Sequence, residues 1–405
     1  MYYKNDQLAI DGGKKVRKRA FAPWPLYDAE EIAAVSAVLK SGKVNYWTGN
    51  QGRLFEEEFA TATESKHAVA VANGTVALEL ALQALNIGVG DEVIVPSRSF
   101  VASASSVVMR NATPVFADIS EESQTVTGEM IEAVVTKKAK AIIAVHLAGW
   151  PCKMDGILCV AKRYNLKVIE DCAQAQGARY LGRSVGSFGD AAAFSFCQDK
   201  IMSTGGEGGM LVTSNDEVWR RAWSFKDHGK NVDAARDLPP SEKFQWLHES
   251  VGTNWRLTEM QSAIGRGLLS KLKKYVEKRR KNAGYLNNLL GTLPALRLTI
   301  PLQETFHSYY KYYAFVRPER IRKGWDRDKV LLAVRAEGIP CFSGSCSEIY
   351  LERAFSGTPR PTRRLAVARR LGGTSLMFLV HPTLGDEEMN DVYLALKKVL
   401  LIASV

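Results

Sequence analysis

The sequence predicts an α/β protein: a mostly parallel sheet covered by helices on both faces, followed by a smaller domain. Three observations carry this expectation. Between His67 and Glu170, strand-sized apolar runs alternate with helical patterns across loops of a few residues, which is how a buried parallel sheet reads. The composition shifts at Gly291-Thr-Leu-Pro294, ahead of a shorter set of strands and helices. The 405 residues, 46% hydrophobic and 24% charged, suit a globular chain with a large core.

Residues 1–64 read as an N-terminal arm and two helices. Asp28 and Glu31 open the first helix and Ser41-Gly42 stops it. An aromatic, glycine-rich loop from Asn45 to Arg53 precedes the second, Leu54–Thr63. Residues 65–290 form the expected large domain. Strands are predicted at His67–Ala72, Asp91–Val95, Pro114–Ala117, Ala141–His146, Lys167–Glu170 and Ala191–Phe196. Helices follow Asn73-Gly74-Thr75 and Phe100, and are predicted over Gly128–Thr136 and Asp155–Tyr164. Asn254 stands where an N-cap belongs, before the longest helical pattern, which runs to Leu290. Residues 291–405 form the expected C-terminal domain, with strands at Tyr309–Val316 and Pro340–Phe342 and helices at Asp326–Glu337 and Asp386–Ala403.

A net charge of +11 favours anionic partners. The run Lys14-Lys15-Val16-Arg17-Lys18-Arg19 has no recognition helix or RNP-like strand beside it, so nucleic acid is not the expected partner. It reads as a solvated arm. Six cysteines show neither C-x-x-C pairing nor zinc-like spacing, which fits buried free thiols in a reducing compartment. No apolar run reaches membrane-spanning length, and the N-terminus lacks the apolar core of a signal peptide. A cytoplasmic protein is expected.

The chemistry gathers in turns that follow strands, where open α/β sheets carry their sites. Asp171 ends one buried run. Lys200 lies between a second run and the turn Gly205-Gly206-Glu207-Gly208-Gly209, an unusual place for a surface lysine. An acid and a lysine delivered in this way are what pyridoxal 5'-phosphate needs: the lysine forms the Schiff base and the acid pairs with the ring nitrogen. Gly74 and Thr75, at a strand-to-helix turn, suit a phosphate, and Ser195 supplies a further hydroxyl. Gln174 is placed to bond the ring's phenolic oxygen and Phe100 to stack on its face. Each of these residues also has an ordinary reading as a turn, a cap or core. Cys172 and Cys197, which flank the acid and the lysine, read as packing.

The motifs Ala72-Asn-Gly-Thr-Val-Ala-Leu78, Val93-Ile-Val-Pro-Ser-Arg-Ser-Phe-Val-Ala102 and Val145-His-Leu-Ala-Gly149 stand in this order. Glu170-Asp-Cys-Ala-Gln-Ala-Gln-Gly177, Phe194-Ser-Phe-Cys-Gln-Asp-Lys200 and Gly252-Thr-Asn-Trp-Arg-Leu-Thr-Glu-Met-Gln261 follow. Over nearly its whole length the chain resembles the DegT/DnrJ/EryC1/StrS aminotransferases. That resemblance implies a fold-type I transferase with a seven-stranded-type sheet. It makes Lys200 the Schiff-base lysine and proton carrier, and Asp171 the partner of the ring nitrogen. Asn254 would reach the cofactor of a second subunit, making a homodimer with shared active sites. The implied reaction moves an amino group from glutamate or glutamine to a nucleotide-linked keto-sugar, a UDP- or dTDP-4-keto-6-deoxyhexose, for surface polysaccharide or glycan synthesis. Lys200 argues against the family's dehydratases, which carry histidine there. The opening segment also resembles the cyclitol and aminohydroxybenzoate-synthase branches, so a free ring ketone is the alternative substrate. A non-catalytic cofactor-binding regulator is the alternative from another class. Cys172, where alanine is usual, and Trp150 depart from the common pattern.

Overall fold

The computed structural model describes residues 7–237 and 247–405. Its centre is a seven-stranded sheet in the order His67–Val71, Gly209–Thr213, Ala191–Ser195, Lys167–Asp171, Ala139–Val145, Glu92–Pro96, Thr113–Ala117. Gly209–Thr213 is antiparallel to both its neighbours and the other pairings are parallel. Alternate residues go to opposite faces, as a strand's period of two requires. Val69 and Val71 join one core cluster, while Ala68 and Ala70 join another. Helices cover both faces, so the strands read as continuous apolar runs.

A second sheet, all antiparallel, has the order Leu296–Leu298, Tyr312–Val316, Ser375–Phe378, Cys341–Phe342. The closing helix Asp386–Ala403 spans the predicted residues and buries Met389, Val392, Leu396 and Val399 in the same cluster as this sheet. The 32-residue helix Glu259–Leu290 joins the two halves. Leu268, near its start, packs with Phe55 and Phe59. Ala283, Leu286 and Leu290, near its end, pack with the C-terminal sheet.

The structure corrects several expectations. The long helix is capped by Thr258, not Asn254: Thr258 and Gln261 form a reciprocal capping box. The C-terminal strand starts at Tyr312, because Tyr309 adopts a left-handed conformation (φ 49°) that no strand tolerates. The predicted helix from Gly128 stops at Glu132. The basic arm is not simply solvated. Arg17 is buried against Glu388 and Asp391, at 3.0 and 2.6 Å, with Glu387 at 3.4 Å. Beside it the buried pair Lys398–Glu337 (2.9 Å) grips the arm, Lys398 donating to the Lys14 carbonyl and Glu337 accepting the Ala9 and Val16 N–H groups. Buried charges survive when paired and fully hydrogen-bonded, as here.

Candidate active site

The turns after His67–Val71, Glu92–Pro96, Ala139–Val145, Lys167–Asp171 and Ala191–Ser195 lie at the carboxyl edge of the sheet. Asp171 closes its strand almost fully buried. Its Oδ2 accepts from the Ser103 hydroxyl (2.7 Å) and its Oδ1 from the Ala173 N–H (3.1 Å). Burial pushes this carboxyl's pKa up, opposed by those hydrogen bonds and by the charge of Lys200. Gln174, also buried, accepts the Ala148 N–H through Oε1 (2.8 Å), which leaves its amide NH₂ as a donor.

Two residues behind this carboxylate went unassigned in the sequence. His146 and Glu170 are wholly buried, with Nε2 and Oε2 3.0 Å apart. Nδ1 accepts the Cys152 N–H, so the ring proton sits on Nε2 and is donated to Glu170. Glu170 also accepts the N–H groups of Gly186, Phe188 and Gly189, each at 2.8 Å. The backbone N–H of His146 bonds the Asp171 carbonyl (3.1 Å), which ties the two strand ends together where Asp171 is presented. The histidine directly after an apolar strand was the available signal. Cys172 lies beside them with its thiol pushed up to about 12 by burial, an inert packing group.

The helix Gly74–Ala84 begins beside the strand end that carries Ser195. The Asn73 side chain caps it by accepting the Val76 N–H (2.9 Å). The N–H groups of Gly74 and Thr75 have no intrahelical acceptor and mark the positive end of the helix. A Cβ on Gly74 would sit 2.5 Å from the Ser195 Cβ, so glycine is what lets the two turns close on one another. Ser195 Oγ accepts the Cys197 N–H at 3.3 Å, so its proton remains available to an anion.

Lys200 is largely buried, with 15% of its side chain exposed. Its Nζ stands 3.4 Å from the Tyr310 hydroxyl and 3.7 Å from Asp199 Oδ1. The indole N–H of Trp24 holds its carbonyl at 2.7 Å. Phe100 is 64% exposed, so this aromatic is not core and its face is free.

Asn254 lies apart from this group. It is exposed, in a bridge to Asp227. Arg256 pairs with Asp227 at 2.7 Å, and the buried Lys226 ammonium lies 3.9 Å from the Tyr46 ring centroid with Arg53 over the same ring. The structure thus brings Lys200, Asp171, Gln174, Gly74, Thr75, Ser195 and Phe100 to one edge of the sheet and leaves Asn254 facing solvent from a cation-rich patch.

A model of the DegT/DnrJ/EryC1/StrS aminotransferase family matches residues 25–397. The chain belongs to that family. It is a pyridoxal-phosphate-dependent aminotransferase with the family's fold. It is 36% identical over 384 residues to UDP-N-acetyl-3-dehydro-alpha-D-glucosamine 3-aminotransferase of Acidithiobacillus ferrooxidans, covering 93% of this chain and 95% of that one. It is 34% identical to L-glutamine:2-deoxy-scyllo-inosose aminotransferase of Streptoalloteichus tenebrarius over 97% of each chain. Among solved structures, an aminotransferase from Psychrobacter cryohalolentis superposes with a TM-score of 0.92 at 51% identity, over 95% of this chain and 99% of that one.

The residues present fit this cofactor. The glycine cradle against Ser195 and the free helix N–H groups suit its phosphate, and a buried carboxylate held by neutral donors suits a protonated ring nitrogen. Gly74→Ala is expected to weaken cofactor binding about 10- to 100-fold, because overpacking a tight contact costs about 1–3 kcal/mol. Titrating the cofactor-free protein by absorbance measures this, and an unchanged affinity would remove Gly74 from the cradle.

Proposed function

We propose that this aminotransferase moves an amino group from glutamate or glutamine to the ketone of a nucleotide-linked sugar, a UDP- or dTDP-keto-hexose. The observation that carries the reading is a partly buried lysine amine and a buried carboxylate on neighbouring strand ends, beside a helix N-terminus closed on a serine. When bound, pyridoxal phosphate supplies the electron sink for the carbon that gains or loses nitrogen. Lys200 is the amine that holds the cofactor and carries the proton to and from that carbon. Asp171 keeps the ring nitrogen protonated, and Gln174 donates to the ring's phenolic oxygen. Gly74, Thr75 and Ser195 bind the phosphate, and Phe100 covers one ring face.

Asn254, exposed in the single chain, completes the site of a second subunit in this reading, which makes the working form a homodimer. Two inactive variants can test this. Mixed dimers of Lys200→Ala and Asn254→Ala contain one intact site if Asn254 acts across the interface. Mixing after dissociation should then recover about a quarter of wild-type activity. No recovery, or an Asn254→Ala protein with unaltered activity, would refute the shared site.

The net charge of +11 suits a diphosphate-bearing substrate, and the relative that acts on a UDP-linked 3-keto-sugar supports a sugar nucleotide. We place the reaction in surface polysaccharide or glycan synthesis in the cytoplasm. The free cysteines suit a reducing compartment, and no described helix is long and apolar enough to cross a membrane. The similarity to a scyllo-inosose aminotransferase favours one alternative, a free cyclitol ketone. The deciding experiment loads the protein with amino groups from glutamate or glutamine, then offers UDP-, dTDP- and GDP-linked 3- and 4-keto-sugars and free cyclitol ketones. Amination confined to a cyclitol would overturn the sugar-nucleotide reading.

A further inference from the structure

Lys200 does not stand alone with its cofactor residues. Around its Nζ the fold gathers a carboxylate from the same loop and a phenol and second lysine from 110 residues further along. The Tyr310 hydroxyl donates to Asp199 Oδ2 and lies 3.4 Å from Lys200 Nζ. Asp199 places Oδ1 3.7 Å from Lys200 Nζ and Oδ2 3.5 Å from Lys311 Nζ. One carboxylate therefore stands between two ammonium groups, with the phenol in contact with the first.

The backbone that delivers these groups is held firmly. Tyr309 is a buried residue in the left-handed region, a costly conformation that turns the chain just before Tyr310 and Lys311. Arg279, wholly buried, donates to the Tyr310 carbonyl at 3.0 Å and lies 5.1 Å over the Trp24 ring. The same Trp24 bonds the Lys200 carbonyl. One chain of contacts thus sets both Lys200 and Tyr310.

We propose that Tyr310 is a further catalytic residue, its hydroxyl passing protons between Nζ of Lys200 and the Asp199–Lys311 pair. The proposal rests on the reading of Lys200 as the cofactor-bearing amine. When Lys200 is freed as an ammonium, one N–H proton passes to the Tyr310 oxygen while the phenolic proton passes to Asp199 Oδ2. Asp199, with 53% of its side chain exposed, then releases that proton to water while Lys311 stays an ammonium beside it. Only bonds to hydrogen break and form, charge is conserved, and the reverse sequence returns the proton.

The surroundings support each step. Burial draws Lys311 down to about 8, so near neutral pH it is still mostly an ammonium facing Asp199. Asp199 keeps 53% of its side chain exposed, and against its partial desolvation the charges of Lys200 and Lys311 hold it below the usual carboxylate range, which keeps it ionised between transfers. Burial and then Asp199 push the Tyr310 phenol far up, so it relays a proton without standing as a phenolate. Among the described residues, other groups facing the cluster include Arg279, Tyr313, Cys197, Asp171 and His381. Burial, with the charges of Arg279 and Lys311, brings His381 down to about 3, so it stays neutral throughout.

The test uses the full chain, cofactor-free and loaded, as wild type, Tyr310→Phe, Asp199→Asn, Lys311→Met and Lys311→Arg. In the cofactor-free protein, acetylation of Lys200 by acetic anhydride against pH, read by peptide mass spectrometry, reports the proton affinity of Nζ. Asp199→Asn removes a negative neighbour and should move the profile down by about one pH unit. Lys311→Met removes a competing positive charge and should move it up by about one unit, while Lys311→Arg should keep the wild-type profile. In the loaded enzyme, Tyr310→Phe should lower kcat of the donor half-reaction about 100-fold at unchanged KM. Unmoved profiles, shifts of the same sign in Asp199→Asn and Lys311→Met, or an unaltered kcat in Tyr310→Phe would overturn the relay. Borohydride fixation on the same samples separates the two readings. Cofactor fixed away from Lys200 overturns both, and cofactor fixed on Lys200 with unmoved profiles overturns the relay alone.

Discussion

Replacing Lys200 with alanine is expected to lower turnover by at least about 10⁴-fold while leaving cofactor binding measurable. The size follows from the two roles proposed for it, lost at once: a positioned amine for covalent attachment, and the base that moves the substrate proton, worth about 10²–10⁴-fold by itself. The proposed phosphate cradle at Gly74, Thr75 and Ser195 and the carboxylate of Asp171 are separate residues and remain. The variant should therefore still take up cofactor, but borohydride should no longer fix it to the chain. Lys200→Arg separates amine from charge. Its guanidinium stays protonated and is no nucleophile, so it should be as inactive as alanine while keeping the ion contact with Asp199. Near-wild-type turnover in either variant would sink the assignment.

What was legible in the sequence had local causes. A buried strand must end in a turn, and a polar residue in that turn is conspicuous against the apolar run before it. Asp171, Ser195, Gly74 and Phe100 are proposed on that ground, and all four lie at the carboxyl edge of the sheet. Lys200, just past a buried strand and before a glycine turn, is proposed on the same grounds. The boundaries that slipped also have local causes. Asn254 and Thr258 are both good caps, and only Thr258 has a glutamine three residues on to answer it. The helix Asp216–Lys226, capped by Asn215, lies outside the expected elements; its buried apolar face rests on only Val218, Ala222 and Trp223. What no local pattern could supply was the meeting of distant residues. Nothing around Arg17 announces the acids of the closing helix that neutralise it, and nothing around Tyr310 announces Asp199. The same limit applies to Glu170, whose partners Gly186, Phe188 and Gly189 lie in a separate turn.

Asp171→Asn should oppose stability and function in one substitution. Burial raises the Asp171 pKa above its unfolded value, so the carboxylate favours the unfolded chain once the pH passes that unfolded value. The penalty is complete above the folded pKa and vanishes below the unfolded one. In the cofactor-free protein at neutral pH the neutral amide should therefore unfold at a higher temperature than wild type, and the gap should narrow as the pH falls into the carboxylate range. The amide can keep the Ala173 N–H bond on its oxygen, and the Ser103 hydroxyl can turn to accept from its nitrogen. With cofactor bound the order should reverse, because the carboxylate then has a positive ring nitrogen to hold and the amide does not. Losing one partner of a buried ion pair costs about 3–5 kcal/mol, which expressed in the transition state is about 10²–10⁴-fold in kcat. Thermal unfolding with and without cofactor at two pH values, together with donor half-reaction rates, measures every part of this. A cofactor-free Asp171→Asn protein less stable than wild type at neutral pH would show that the carboxylate serves the fold. The expected inversion would show that the fold bears a buried charge which only the cofactor repays.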